Sequence, residues 1–137
     1  MARTLTALAV IAGVLAVAWL VRRLRPATAP AAAPAYSVPA QLARWDFAQP
    51  DAEWLLAVFT SKTCSTCAAV MKAAEGLADE SLAVQEVEYR RHGELHRRYT
   101  VDAVPLSVLA DRSGAVCASL AGPATAEELS ALITSVR

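Results

Sequence analysis

The sequence predicts an α/β domain in which helices flank a central mixed β-sheet, and three observations point to this fold class. A near-continuous apolar run at 54–60 is typical of a strand that is buried on both faces of a sheet. Apolar residues at helical spacing follow it from Cys67 onward. Two more apolar runs, at 105–110 and 115–120, flank the turn sequence Asp-Arg-Ser-Gly and predict a β-hairpin.

The remaining elements have weaker individual signals. Thr125 and Glu128 have the spacing of a helix capping box, and apolar residues follow at helical spacing. Alternation between apolar and polar residues in the run at 82–89 is imperfect at Glu86-Val87-Glu88. The predicted elements, in order, are an edge strand at 44–47, a central strand at 54–60, a helix from 67, a strand at 82–89, a short helix around 95–99, the hairpin strands at 105–110 and 115–120, and a helix at 125–136.

Length and charge restrict the classes of function. A chain of 137 residues has room for one ordinary domain with appendages. Its 13 basic and 13 acidic side chains balance, but four arginines lie within the first 25 residues, so the remainder has a formal charge of −4. Because an acidic domain without a basic stripe does not attract phosphate backbones, we expect no nucleic-acid partner.

An uncharged apolar segment at 4–21 predicts a single-pass membrane anchor. As a helix, its 18 residues would span about 27 Å, close to the roughly 30 Å hydrocarbon core of a bilayer. Arg22, Arg23 and Arg25 follow where a cleavage site would lie in a secreted protein, which favours an anchor over a cleaved signal peptide. Residues 1–25 are therefore predicted to form a transmembrane helix with a basic flank, in contact with the lipid bilayer.

Two further regions follow the predicted anchor. Residues 26–40 are rich in alanine and proline, a composition typical of a stiff, extended linker. Residues 41–137 are long enough to form one modest core and constitute the predicted folded domain. The basic flank after the anchor favours a domain that faces the cytoplasm, with an extracytoplasmic domain as the alternative.

The sequence Cys64-Ser65-Thr66-Cys67 lies between the central strand and the first helix. Two thiols at this spacing can close reversibly into a disulfide and need no cofactor to do so. At a helix start, Cys64 would meet unpaired backbone N–H groups, which lower the pKa of a thiol. Cys64 is therefore the candidate nucleophile, and Cys67, one turn into the helix and facing the core, is the candidate resolving thiol.

The order of elements, the dithiol and Val104-Pro105 about forty residues later together resemble the thioredoxin-like superfamily, in particular membrane-anchored bacterial thioredoxin-domain proteins. The resemblance covers residues 44–136. It implies attack on a substrate disulfide by Cys64 and resolution by Cys67. It also implies a cis peptide bond at Val104-Pro105, beside the dithiol, where the backbone of Val104 binds an extended substrate peptide.

The loop around the dithiol differs from that of thioredoxins proper. Thr63 stands where they have tryptophan, and Ser65-Thr66 stands where they have Gly-Pro. Lys62 can favour the thiolate of Cys64 electrostatically or can be merely solvated. Lys62, Thr63, Ser65 and Thr66 are thus the candidates for tuning the thiolate.

The resemblance also implies a buried aspartate six residues before the first cysteine, which assists proton transfer to the resolving thiol. In this chain that position is Val58, and the lysine that partners the aspartate falls near Glu86. The sequence therefore predicts that Cys67 exchanges its proton with water, with a Ser65 or Thr66 hydroxyl, or with Glu86.

Two histidines and a third cysteine have simpler interpretations. His92 and His96 are spaced so that both can lie on one side of a helix, which together with the two cysteines suggests a zinc site. However, the 24 residues between the cysteine and histidine pairs exceed the usual gap of about 12–15. We therefore expect two solvated histidines and no metal, and we expect Cys117 to be a small buried apolar residue.

The sequence predicts a membrane-anchored protein dithiol–disulfide oxidoreductase whose partners are protein thiols and disulfides. The alternative is a binding or scaffolding module that keeps the fold and uses the groove at Val104-Pro105 without redox turnover. The pKa of the Cys64 thiol separates the two, since an exchange enzyme needs a value below about 7.5 and an unactivated thiol has about 8.5.

Overall fold

The computed structural model describes residues 36–137, so the predicted anchor at 4–21 and most of the predicted linker lie outside the described residues. Within 36–137, no helix is both long enough and apolar enough to cross a membrane. The elements, in chain order, are a 3-10 helix at Arg44–Asp46, β1 at Trp54–Thr60, α1 at Cys67–Glu75, β2 at Leu82–Glu88, α2 at Gly93–Arg98, β3 at Leu106–Asp111, β4 at Val116–Ala121 and α3 at Ala126–Thr134.

The four strands form one mixed sheet in the order β2-β1-β3-β4. β1 pairs in parallel with β2 and antiparallel with β3, and β3 pairs antiparallel with β4. β1 thus has a neighbour on each side, and its residues from Leu55 to Thr60 are all buried. This explains the apolar run at 54–60, because a central strand covered on both faces has no solvent-facing side.

Helices cover both faces of the sheet, and alternate residues of β1 point to opposite faces. Leu56 and Val58 pack in an apolar cluster with residues of α1 and α3. Leu55 and Phe59 pack on the other face with residues of α2 and of the segment before β1. The loop from β1 to α1, which contains the two cysteines, therefore leads from the end of the central strand onto the face occupied by α1.

The predicted edge strand at 44–47 is wrong, because this segment forms a 3-10 helix instead. Side-chain hydrogen bonds account for the difference. The buried guanidinium of Arg44 donates to the backbone carbonyl of Asp111 over 2.7 Å, and the carboxylate of Asp46 accepts a hydrogen bond from the hydroxyl of Tyr99. These bonds fix the segment against the domain without a strand ladder.

The hairpin and the last helix have the local features that the sequence predicts. Gly114 in the turn between β3 and β4 has a positive φ of 85°, and its carbonyl accepts a hydrogen bond from the Leu42 N–H over 2.8 Å. Thr125 and Glu128 form both hydrogen bonds of a capping box at the start of α3. Each of these local motifs is therefore confirmed.

Candidate functional site

Cys64 and Cys67 are joined by a disulfide, and their Cα atoms are 5.5 Å apart. Cys67 is only 3% exposed and faces the protein interior, whereas Cys64 is partly buried in the turn that leads into α1. The sequence predicts Cys64 at the helix start, but α1 begins three residues later, at Cys67, with Thr66 as its N-cap. The helix is shorter because residues 65 and 66 form a turn.

The turn still places Cys64 in surroundings that favour a thiolate. The first N–H groups of α1 point toward the turn, and within residues 36–137 the Thr66 side chain caps none of them, so the positive end of the helix dipole faces Cys64. The Thr66 hydroxyl lies 3.7 Å from the sulfur of Cys64. The side chains of the other tuning candidates, Lys62, Thr63 and Ser65, are exposed.

The Val104-Pro105 peptide bond is cis. Val104 is partly buried, and together with Thr63 it lines a groove with a volume of about 590 Å³. Pro105 is buried, and its carbonyl accepts a hydrogen bond from the N–H of Gly122 over 2.8 Å. The fold therefore brings Val104 and the residue before Cys64 to one groove, while Pro105 lies in the interior.

A second cavity, of about 220 Å³, lies against the disulfide itself. Both cysteines line it, as do two carboxylates, so the dithiol has acidic neighbours. One of these carboxylates belongs to Glu88, which is only 3% exposed. The lining includes Lys62, Cys64, Cys67, Glu86, Glu88 and Arg91.

Strand register explains why the two carboxylates reach this cavity. Glu86 is paired with Val58, and Glu88 is paired with Thr60, the last residue of β1. Paired residues on neighbouring strands point to the same face of the sheet, and for Val58 that face is the one covered by α1. The acidic groups near the dithiol therefore come from β2, and β1 contributes an apolar side chain at the position where thioredoxins have an aspartate.

Comparison of the whole fold with solved structures identifies its class. The germline-specific thioredoxin Deadhead from Drosophila melanogaster superposes with a TM-score of 0.56 at 22% identity, over 64% of this chain and 85% of that one. Thioredoxin-2, a component of malaria parasite protein secretion machinery, superposes with a TM-score of 0.53 at 18% identity, over 61% of this chain and 82% of that one. The fold is thioredoxin-like.

A further malarial protein matches this thioredoxin-like fold with a TM-score of 0.54 at 19% identity, over 61% of this chain and 96% of that chain. No protein-family model and no curated protein sequence matches the chain. Because one fold serves many functions, these likenesses establish the architecture, and function must be argued from the site. The architecture is thus a thioredoxin-like fold in which Cys64 and Cys67 of the CxxC sequence form a disulfide.

Two sequence predictions about other residues of the thioredoxin-like domain are wrong. His96 is not solvated but 3% exposed, because its Nε2 bonds the backbone carbonyl of Val87 over 2.8 Å and its ring packs edge-on against Phe59. Cys117 is exposed instead of buried. Its strand, β4, lies at the edge of the sheet, and a bulge interrupts its register with β3 close to this residue.

The fold separates the residues that together suggest a zinc site. Cys64 and Cys67 share a disulfide beside α1, whereas His96 belongs to α2 on the opposite face of the sheet. Among residues 36–137, no group of three or more His, Cys, Asp or Glu side chains is arranged to hold a metal ion. His96 therefore belongs to the packing of α2, and His92 is the partly buried residue directly before that helix.

Sequence reasoning missed several residues of the site in the thioredoxin-like domain. Ser61 lines both cavities, and Tyr89 and His96 line the larger groove. Glu88 was also missed, although the irregular alternation of the third predicted strand at 86–88 was a signal. Glu86 and Glu88 both point to the face covered by α1, so side chains of this strand do alternate between the two faces of the sheet. The residues on the α1 face are acidic at the end of the strand that lines the cavity of the dithiol.

Proposed function

We propose that this chain is a protein dithiol–disulfide oxidoreductase that works through Cys64 and Cys67 without a cofactor. In the reducing direction, the Cys64 thiolate attacks a substrate disulfide, forms a mixed disulfide and releases one substrate sulfur as a thiolate. The Cys67 thiolate then attacks the Cys64 sulfur, releases the second substrate thiolate and closes the Cys64–Cys67 disulfide. Two electrons pass to the substrate, both released thiolates take up protons, and the reverse sequence oxidises a substrate dithiol.

The observation that carries this proposal is the asymmetry of the disulfide. The sulfur of Cys64 belongs to a partly buried residue in the loop before α1, while Cys67 is buried as the first residue of the helix. An external disulfide can therefore approach Cys64, and the protein itself protects Cys67 for the second step. The free N–H groups at the start of α1 stabilise the attacking thiolate.

The larger groove gives the substrate peptide a place to bind. It joins Thr63, directly before Cys64, to Val104, directly before the cis proline. An extended peptide that lies along Val104 would pair with its backbone and present its sulfur to Cys64. Tyr89, a large side chain that is 54% exposed, lines the same groove and offers apolar contact area.

The proposal includes membrane attachment through residues 4–21, on the strength of their uncharged apolar sequence. The basic residues that follow favour a domain on the cytoplasmic side. A membrane-impermeant thiol reagent applied to intact cells should then leave Cys64 unlabelled, while the same reagent labels it after permeabilisation. Rapid labelling of intact cells would place the domain outside, and recovery of the chain in the soluble fraction would refute the anchor.

Trapping experiments with single-cysteine variants test the proposed reaction. In a Cys117→Ser background, which removes the exposed third thiol, Cys67→Ser should accumulate mixed disulfides with cellular proteins because the second step is blocked. The matched Cys64→Ser variant should form none, since it lacks the attacking thiol. Equal trapping by both variants, or faster alkylation of Cys67 than of Cys64 in the reduced protein, would contradict the assigned roles.

The size of the groove favours one alternative function, a protein-binding module without turnover. A groove of about 590 Å³ with an exposed aromatic side chain can hold a peptide whether or not the cysteines react. The pKa of Cys64 in the reduced protein distinguishes the two functions. An oxidoreductase should titrate below about 7.5, and a scaffold should retain a thiol near 8.5.

A further inference from the structure

Glu88 is the one acidic side chain that is buried within residues 36–137, and it lines the same cavity as the dithiol. It is 3% exposed and lines the 220 Å³ cavity together with Cys64 and Cys67. Its Oε1 atom is inaccessible to solvent and accepts no hydrogen bond from any residue in the described part of the chain. Since buried carboxylate oxygens are normally satisfied, a free one beside a reactive pair of cysteines calls for a functional explanation.

The local structure holds the Glu88 carboxylate in its ionised form. Burial acts to raise the pKa of Glu88, but the backbone N–H groups of Arg90, Arg91 and Lys62 and the charge of Lys62 outweigh it and lower the pKa. The Arg91 N–H bonds Oε2 over 3.2 Å. The Glu88 carboxylate is thus ionised, with Oε2 bonded to the backbone and Oε1 without a hydrogen-bond donor in the described part of the chain.

Glu86, the other acidic residue of the cavity, is occupied by other partners. Its Oε1 accepts a hydrogen bond from the Thr60 hydroxyl over 2.8 Å, and its Oε2 forms an ion pair with Arg91 over 2.7 Å. Its side chain is also one-third exposed. The two glutamates therefore differ in a way that an experiment can use, since only Glu88 has a free buried oxygen.

We propose that Glu88 takes the proton from the Cys67 thiol when Cys67 resolves the mixed disulfide. This inference rests on the proposed oxidoreductase function. The S–H proton of Cys67 moves to Glu88 Oε1, directly or through one water in the cavity, while the sulfur of Cys67 attacks the sulfur of Cys64. The bond between Cys64 and the substrate breaks, the substrate sulfur leaves as a thiolate, and the proton on Glu88 returns to that thiolate or to solvent.

Glu88→Gln tests the role, because glutamine keeps the shape and one carbonyl oxygen but cannot accept the proton. Glu86→Gln is the matched control from the same cavity and the same strand. Both are made in the full chain with Cys117→Ser, reduced to the Cys64/Cys67 dithiol with a small thiol that is then removed, and reacted with a dithiobis-nitrobenzoate, an aromatic disulfide that releases one coloured thiolate per step. The first release reports the attack by Cys64, and the second reports resolution by Cys67.

We expect Glu88→Gln to slow the second release at neutral pH by about tenfold, less than the roughly 10²–10⁴-fold typical of general bases, because a carboxylate with a lowered pKa is a weaker base. The first release should stay within about threefold of the unsubstituted protein, as should both releases in Glu86→Gln. The deficit of Glu88→Gln should shrink as pH rises, because hydroxide then removes the proton. The other charged groups that face Glu88, namely Lys62, Glu86 and Arg91, are unchanged in this variant.

Each outcome assigns failure to one proposal. If the unsubstituted chain releases no thiolate, the oxidoreductase function is wrong. If it gives both releases and Glu88→Gln gives them at the same rates, only the role of Glu88 is wrong. If Glu88→Gln slows both steps equally at every pH, the residue merely positions the loop, and the inference is overturned.

A second measurement does not depend on the folding of Glu88→Gln. In Cys64→Ser, which keeps Glu88, the Cys67 thiol should titrate above its ordinary value of about 8.5, because its burial and a neighbouring carboxylate both disfavour the thiolate. Glu88→Asp keeps the charge but shortens the side chain, so its second release should fall between those of the unsubstituted protein and Glu88→Gln. A Cys67 pKa at or below the ordinary value would overturn the inference.

Discussion

Val58→Asp tests whether β1 is dry and apolar at the position where thioredoxins have an aspartate. Val58 is fully buried on the face of the sheet covered by α1 and α3. Loss of its burial costs about 2 kcal/mol, and burial of a neutral carboxyl group adds about 1–3 kcal/mol. Ser107, which is paired with Val58 and has a buried hydroxyl without a partner within 36–137, can offset about 1 kcal/mol by donating a hydrogen bond.

The pH dependence of this variant carries the sharper test. A buried aspartate has its folded pKa raised above the unfolded value, so the stability it retains is fully present below the unfolded pKa and is lost as pH rises. Every pH unit by which the folded pKa exceeds the unfolded pKa corresponds to about 1.4 kcal/mol. We therefore expect Val58→Asp to lower the free energy of unfolding by about 2–4 kcal/mol near pH 4 and by at least about 2 kcal/mol more near pH 7.5.

Urea denaturation of the oxidised chain, followed by circular dichroism at both pH values, measures these costs relative to the unsubstituted protein. Val58→Thr is the control, because it has nearly the same shape and a hydroxyl group but does not titrate, so its cost should not change with pH. A cost of Val58→Asp below about 1 kcal/mol at both pH values would show that water reaches this position. The interpretation of β1 as a dry, apolar neighbour of the dithiol would then be wrong.

Three further predictions concern the fold. Gly114→Ala should lower the free energy of unfolding, measured by urea denaturation, by about 3 kcal/mol, because a Cβ at its positive φ would clash with the Leu42 carbonyl oxygen. Gly76→Ala is the control: a Cβ there meets only ordinary van der Waals contacts, so it should cost less than about 1 kcal/mol. Burial acts to raise the pKa of Asp46, but hydrogen bonds from Tyr99 and Arg98 outweigh it and lower the pKa. The free energy of unfolding should therefore fall as the pH drops through the folded pKa of Asp46, and Asp46→Asn should make the free energy of unfolding depend less on pH in that range. Cys117→Ser should leave both thermal stability and disulfide exchange unchanged, because the side chain is exposed.

Features encoded locally could be predicted from the sequence. The apolar run of β1, the turn at Gly114 and the capping box at Thr125 each depend on residues close together in the chain. The CxxC spacing likewise predicts that Cys64 and Cys67 can meet, and they form a disulfide. Such signals fix the type and order of the elements because helix, strand and turn preferences act over a few residues.

Features that depend on distant partners could not be predicted in this way. The 3-10 helix at Arg44 is held by a bond to Asp111, 67 residues away, so the local pattern of the segment favours a strand. His96 is buried because its ring nitrogen bonds a backbone carbonyl on β2, a partner that its own helix does not reveal. The burial of the Glu88 Oε1 atom without a hydrogen-bond partner depends on the pairing of Glu88 with Thr60 at the end of β1, which the sequence of β2 alone does not specify.

The site differs from the thioredoxin pattern in the loop residues around the dithiol and also in the strand that supplies its acidic groups. β1 is apolar up to Thr60, and the carboxylates that face the dithiol come from β2, the edge strand paired with it. The proposed proton acceptor, Glu88, therefore lies on the strand next to β1, while the dithiol lies between β1 and α1.

The redox equilibrium of the Cys64–Cys67 pair tests the central claim most directly. The chain with Cys117→Ser is equilibrated with glutathione buffers of graded ratio, and the fraction of disulfide is read by alkylation and mass. An oxidoreductase should show one reversible two-electron transition at a potential between about −270 and −120 mV, the range of known exchange proteins. A pair that stays oxidised at every ratio, with a potential below about −300 mV, would be a structural disulfide and would contradict the proposed function.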